Sequence, residues 1–400
     1  MQQITSPELS EATPGALAFS VLSLAQALDA WRNNAHRLTT ATPQDIEFVS
    51  AWQNHVNNDC IAVVGTLAET GSIEFLLPLE VVSKGPLRFA RYPGGSHANA
   101  NFPATGLLSE QLFPESLTAA TRRAISLARP DIDAVLLERQ VEMLNGMSNR
   151  LVSERSGVSP NVALSFALPA SFQELLKERN GAKKQKKMRQ MQRRMDERGG
   201  WRMFKAATEA ETSRVLDRFF LLKGERLKSR GLKDVFADPG VQAFFKALFA
   251  DALSSVAPRY ELHALEVGGE IAAVAGCTIN GKHLTVEFGG ICSSDRQLSP
   301  GDILYHLLIE QCCQRGFEIF DLGVGDEFYK RRWCDTEIWH RDTYLPLTVK
   351  GRIAVTTFTG VAAAKKRIKS SPLLFGLVKK LRGFGKARDQ EAQSETEPVC

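Results

Sequence analysis

The sequence predicts an α/β protein of two similar units in tandem, each a mixed, mostly antiparallel sheet flanked by helices. Three observations carry this expectation. The chain has 400 residues, more than the roughly 100–200 of one typical domain. Helical and strand-like segments alternate along it. The same order also occurs twice: helices, an antiparallel meander, then a crossover helix leading to a strand that must pair in parallel.

In the first half LAQALDAWRNNAHR reads as a helix, and TPQDIEFVSAWQNHV as a second one with Thr42 as cap and Pro43 in its first turn. IAVVGTL and SIEFLLPLEVV, joined by Ala-Glu-Thr-Gly, and LRFARY, after Gly85-Pro86, form the meander. The polar stretch PGGSHANANFP separates it from the helix ESLTAATRRAISLA and the strand DAVLLERQ.

The second half opens on the basic helix AKKQKKMRQMQRRMDER, whose Met188, Met191 and Met195 make an apolar stripe at helical spacing. The strand WRMFKAA follows, then a long helix over ATEAETSRVLDRFFLLKGERLKSRG and another over VQAFFKALFADALSSV. YELHALEV, EIAAVAGCTI and HLTVEFGGI are strands separated by Gly268-Gly269 and by Asn280-Gly281, the latter a strong hairpin signal. The helix DILYHLLIEQCCQRG, closed by Gly316, leads to FEIFDLG, parallel to HLTVEFGGI. With SERSGVSPN as linker, the expected domains are 1–155, 156–345 and a tail, 346–400.

Composition, at 44% hydrophobic and 24% charged, is that of an ordinary globular protein. The start, MQQITSPELSEATPG, lacks the basic and apolar regions of a secretory leader, and no apolar run reaches about 18 residues, so a cytoplasmic location is expected. The seven cysteines and seven histidines make no metal-ligand spacing, and no metal is expected. Net charge is +5, yet the segment from Thr343 to Arg388 holds eleven Lys or Arg and no acid. Within it PLLFGLVKKLRGFGK is basic and amphipathic, suited either to an anionic membrane surface at the inner face or to docking on the protein itself; QEAQSETEPVC beyond it reads as disordered.

The most chemical stretch is FDLGVGDEFYKRRWCDT, Phe320 to Thr336, where charged and aromatic residues follow a short apolar strand. On it, and over Ser171 to Asp335, the chain resembles the cellulose-biosynthesis (CelD-type) acetyltransferase-like domain of the GNAT superfamily. The tandem order is similar to the Fem-type aminoacyltransferases, in which a Tyr/Phe-Lys motif follows the last strand, here Tyr329-Lys330. The resemblance implies an acyltransferase that takes acetyl-CoA or another acyl-CoA as donor and an amine or sugar-derived acceptor, in envelope or exopolysaccharide metabolism. It implies a first unit without cofactor. Two alternatives stand beside it: a Fem-type transferase using aminoacyl-tRNA, with the basic helix on the RNA, or a non-catalytic accessory of polysaccharide synthesis.

GNAT proteins bind the acyl-CoA pyrophosphate at a loop and helix N-terminus, where free backbone N–H groups and the helix dipole favour anions. The superfamily pattern Gln/Arg-x-x-Gly-x-Gly/Ala has its counterpart in Arg296 to Gly301, with Ser299 in place of the first glycine and the acidic Asp302 next in line. The same residues also spell a plain helix start, with Ser299 as cap and Pro300 in the first turn. Gly289 and Gly290, with Gly323 and Gly325, let two parallel strands part around a ligand. Glu287, in an apolar strand, is the first candidate base and Asp321 the second, although strict alternation turns Glu287 outward. Tyr329 stands where GNAT enzymes place an acidic tyrosine. Asp326, Lys330, Arg331 and Trp333 are the candidate substrate contacts; Lys330, Arg331 and Arg332 could meet phosphate or form a salt-bridged rim.

Overall fold

The computed structural model describes residues 17–106, 116–179, 181–292 and 298–370. In the first half, strand β1 (Leu17–Ser23) runs into helix α1 (Leu24–Asn34), which opens with a capping box between Ser23 and Gln26. After the short β2 (Leu38–Thr39), Thr42 and Pro43 form a single 3-10 turn, and helix α2 (Ile46–His55) begins beyond it. Its cap is therefore Asp45 rather than Thr42: the carboxylate accepts from Phe48 N–H at 2.9 Å, meeting one of the free donors of the first turn.

Strands β3 (Cys60–Leu67), β4 (Ile73–Lys84) and β5 (Leu87–Arg91) form the antiparallel meander, with β6 (Ala104–Gly106) on β4. Helix α3 (Leu117–Ala128) then returns the chain to β7 (Ala134–Gln140), parallel to β5. A small hairpin, β8 (Met143–Leu144) with β9 (Met147–Ser148), leads to β10 (Gly157–Val158) and β11 (Ala163–Ala167).

The second half repeats the plan. Helices α4 (Phe172–Glu178) and α5 (Gly181–Asp196) precede β12 (Trp201–Lys205), α6 (Glu209–Ser229) and α7 (Pro239–Asp251). Strands β13 (Tyr260–Val267), β14 (Glu270–Asn280) and β15 (His283–Ile291) form the meander, with Gly281 at φ +58° in the tight turn between the last two. Helix α8 (Pro300–Gln314) crosses to β16 (Ile319–Val324), parallel to β15. The chain closes with α9 (Phe328–Arg331), β17 (Thr336–Ile338), β18 (Arg341–Pro346) and α10 (Val349–Ser370).

The first sheet is completed by a strand from beyond the linker, and the second by one that follows it directly. β11 inserts between β16 and β17 of the second sheet, while β18, after the second unit, pairs antiparallel with β7 of the first. The second sheet buries a different core on each face. On one, α6 and α7 pack with α1 and α2 of the first unit, the rings of Phe48 and Trp52 lying 4.9 and 5.0 Å from that of Phe244. On the other lie α4, α8 and the methionine stripe of α5. A polar clasp also joins the units: buried Asp45 accepts from Tyr260 Oη at 2.7 Å and faces Arg259 at 3.2 Å. Among the described residues no helix is long and apolar enough to cross a membrane.

Candidate active site

The site is set by a fault in one ladder. Along β14 and β15, Cys277 opposes Val286 but Gly276 opposes Phe288, so Glu287 is an extra residue, a β-bulge. An unbroken strand would turn Val286 and Phe288 to the same face. Instead Val286 joins the core under α8, and Phe288 the core under α6 and α7. The missing side chain of Gly276 leaves the room that the Phe288 ring takes. Glu287 is thus freed from alternation and is aimed inward. Its Oε1 accepts from Thr278 Oγ1 at 2.7 Å and its Oε2 from Asn99 Nδ2 at 2.7 Å. The same carboxamide donates to the Glu287 carbonyl at 2.8 Å.

Just beyond, the parallel ladder of β15 with β16 ends at Thr285↔Asp321. A cavity of about 250 Å³ opens there, lined among others by Glu287, Gly289, Tyr305, Tyr329 and Lys330. Burial pushes the Glu287 carboxyl up to about 7, against the lowering by its bonds to Thr278 and Asn99. Tyr305 and Tyr329 lie with their rings parallel at 5.7 Å, and burial raises Tyr329 to about 12. A base that ionises near neutrality and a hydroxyl that keeps its proton therefore share one cavity.

The other candidates have definite places. Asp321 is buried and accepts from Gly323 N–H at 2.6 Å, holding the bend where Gly323 takes φ +71°; it does not line the cavity. Lys330 does line it, but its buried ammonium is engaged with the carbonyls of Gly323 at 3.1 Å and Val324 at 2.9 Å and with Glu327 at 3.1 Å. Asp326 and Arg331 are exposed and paired with each other at 2.6 Å, away from the cavity. Trp333 is buried against Phe166, with the Lys184 ammonium 3.6 Å from its ring centroid. Arg332 pairs with Asp302 at 3.2 Å.

Of the phosphate-loop candidates, Arg296 lies outside the described residues. Ser299 sits before α8 at φ +42°, and its hydroxyl does not cap the helix. Gly301 lies against Ile291, where an added Cβ would come 2.5 Å from the end of that side chain. Asp302 is neutralised by Lys187 at 2.8 Å as well as by Arg332. Gly289 lines the cavity, whereas Gly290 is packed against Phe219.

Several polar cavity groups, Tyr305 and Glu327 with them, were not among the sequence candidates. Asn99 belongs to the polar stretch of the first unit, and its partner is 188 residues away. Lys223 and Arg226 on α6, with Arg230 as its C-cap, stand at spacings of three and four, a legible stripe on a helix whose orientation the sequence alone leaves open.

Residues 182–331 match the family described as acetyltransferase (GNAT) domain. No curated protein matched the chain. Among solved structures, the crystal structure of FemX is similar at 9% identity, covering 84% of this chain and 98% of that one with a TM-score of 0.51. The C-terminal domain (DUF2156) of a lysylphosphatidylglycerol synthetase from Agrobacterium fabrum is similar at 12% identity, 84% and 96% coverage and a TM-score of 0.49. A tandem GNAT protein from the clavulanic acid biosynthesis pathway is similar at 12% identity, 83% and 99% coverage and a TM-score of 0.45. At these identities the likeness concerns the fold, and the FemX match supports it over both units. Residues 182–331 thus match a GNAT acetyltransferase domain, and the fold is that of two GNAT-like α/β units in tandem.

Proposed function

We propose that the second unit transfers an acyl group, acetyl in the first instance, from acyl-CoA to an amine on a small or sugar-derived acceptor. The single observation that carries this reading is Glu287 at its bulge, a carboxyl that burial raises to about 7, in one cavity with Tyr329 where two parallel strands part. The acceptor ammonium gives its proton to the Glu287 carboxylate, and the free amine attacks the thioester carbonyl. The carbon–sulfur bond breaks as the amide forms, the departing thiolate takes a proton from Tyr329, the second proton of the attacking nitrogen returns to the tyrosinate, and Glu287 releases its proton to solvent. β15 beyond Thr285 is unpaired with β16, so its backbone can face the thioester and stabilise the tetrahedral oxyanion. Ser299 and Gly301, at the start of α8, and Arg296 are the residues that would meet the pyrophosphate.

The CelD-type likeness of Phe320 to Asp335 supports a role in envelope or exopolysaccharide metabolism, on the cytoplasmic side. The tail, 371–400, lies outside the described residues. A role for it on an anionic membrane face is supported by α10 before it, where Val349 and Ile353 are exposed beside a groove lined by Arg122, Arg123 and Arg352.

The test is thermal stabilisation by acetyl-CoA, longer acyl-CoAs and aminoacyl-tRNA, since a ligand of the folded state must raise the melting temperature. Stabilisation by acyl-CoA, with thiol release that Glu287→Gln abolishes, is expected. Stabilisation by aminoacyl-tRNA alone would replace this reading with the Fem-type one, and response to neither would replace it with the accessory role.

A further inference from the structure

We infer that the acceptor carries an anionic group, a phosphate or a carboxylate, which is held by Lys223 and Arg226 of α6 and Arg230 at its C-terminal cap. The inference rests on the reading of the cavity as an acyl-transfer site and names what enters it opposite the donor.

The three cations line the cavity that holds Glu287. They recur at spacings of three and four, so they form one stripe along α6 and its cap, about 10 Å long at 1.5 Å per residue. Lys223 and Arg226 are half-buried, and none of the three is ion-paired with a described residue. Several other arginines are neutralised: Arg331 by Asp326 and Glu337, Arg315 by Glu261, Arg202 and Arg214 by Glu266. The acids facing the stripe are Glu287 and Glu327, and Glu327 is already held by Lys330 at 3.1 Å. Neighbouring cations without ion-pair partners repel one another, and a bound anion offsets that repulsion while receiving charge-assisted bonds.

The stripe is also on the side of the sheet away from the proposed donor phosphates. α6 packs in the core shared with the first unit, whereas α8, with Gly301 at its start, packs in the core of the opposite face. Since the cavity lies where β15 and β16 separate, a donor thioester could reach it from the α8 face and the acceptor from the α6 face. The amine would then meet Glu287 while the acidic end of the same molecule rests on the stripe.

Calorimetric titration of the full chain tests this with three probes of similar size, glucosamine and its phosphorylated and carboxylated derivatives, each with and without saturating CoA. The expected result is at least tenfold tighter binding of one or both anionic probes than of glucosamine. That advantage should vanish in Arg226→Ala/Arg230→Ala and return in Arg226→Lys/Arg230→Lys, with CoA affinity equal in all three proteins. The phosphorylated and carboxylated arms decide which anion is preferred. Equal affinity for the three probes, no binding of any, or an advantage that survives the double alanine variant would overturn the inference. A double variant that loses CoA affinity instead would overturn it as well, giving the cations to the donor. Failure of CoA to bind the parent protein counts against the acyl-transfer reading alone, because the probe comparison without CoA still reads the stripe.

Discussion

Replacing Asn99 by alanine removes the carboxamide that donates to Glu287 Oε2 at 2.7 Å and to its backbone carbonyl at 2.8 Å, while leaving every residue of the second unit unchanged. A hydrogen bond to a charged group contributes about 1.5–3 kcal/mol, and one pKa unit corresponds to about 1.4 kcal/mol. The bond favours the carboxylate, so its loss must raise the Glu287 pKa, by roughly one to two units above its value of about 7, the lower end applying if water replaces the amide. At pH 7.5 the parent is then mainly ionised and the variant mainly protonated. Turnover that requires the carboxylate should fall about tenfold near neutrality and recover by about pH 9. The titration can be followed directly, without an acceptor, by carbon NMR of protein labelled at the glutamate carboxyls, with the resonance assigned by its absence in Glu287→Gln. A parent midpoint in the ordinary range near 4.5, or the same midpoint in parent and variant, would refute the reasoning.

Glu287→Gln itself should lower turnover by about 10²–10⁴-fold with little change in acyl-CoA affinity, because an amide cannot take the proton. Its effect on stability should depend on pH: the folded-state pKa is raised from 4.5 to about 7, so the native protein binds the proton more tightly, and stability present below pH 4.5 is lost as pH rises through 7. The variant should therefore melt higher than the parent at pH 8.5 and close to it at pH 4, which two melting curves would check. Gly301→Val places side-chain atoms into Ile291 and should destabilise by about 1–3 kcal/mol in denaturant titration, whereas Gly301→Ala, relieved by a turn of the Ile291 end, should cost less. Lys330→Met leaves the buried Gly323 and Val324 carbonyls without their ammonium partner, and a loss of about 1–3 kcal/mol per carbonyl should appear as a lower denaturation midpoint. Deleting residues 366–400 should abolish co-sedimentation with anionic vesicles, and salt should weaken that binding in the full chain; retained binding would place the contact elsewhere.

Much of the element order was legible because its signals are local. The Asn280-Gly281 turn, the methionine stripe of α5 and the Gly316 stop act within a few residues of one another, and helix and strand periods are written in consecutive side chains. Two similar runs of such elements were enough to indicate two α/β units with a parallel crossover in each. They also pointed to Glu287 and Gly289 as residues near the place where strands part, the GNAT resemblance pointed to Tyr329, and all three line the cavity.

What the tertiary structure alone decided concerns partners distant in the chain. Whether Glu287 faces inward depends on a bulge, which exists only in the register of two paired strands and not in the period of either. Asn99 reaches that carboxylate from another unit, β18 completes the sheet on the far side of the linker, and β11 inserts between β16 and β17. Those strands were missed because they are short and carry weak patterns, and long-range pairing supplies the stability they lack. The cations likewise divided only in three dimensions: Arg331 and Arg332 found acids, Lys330 found carbonyls and Glu327, and Lys223, Arg226 and Arg230 came together in the cavity without an ion pair to a described residue. Charge and spacing are properties of the sequence, but which charges meet is set by the packing of the sheet between its two cores.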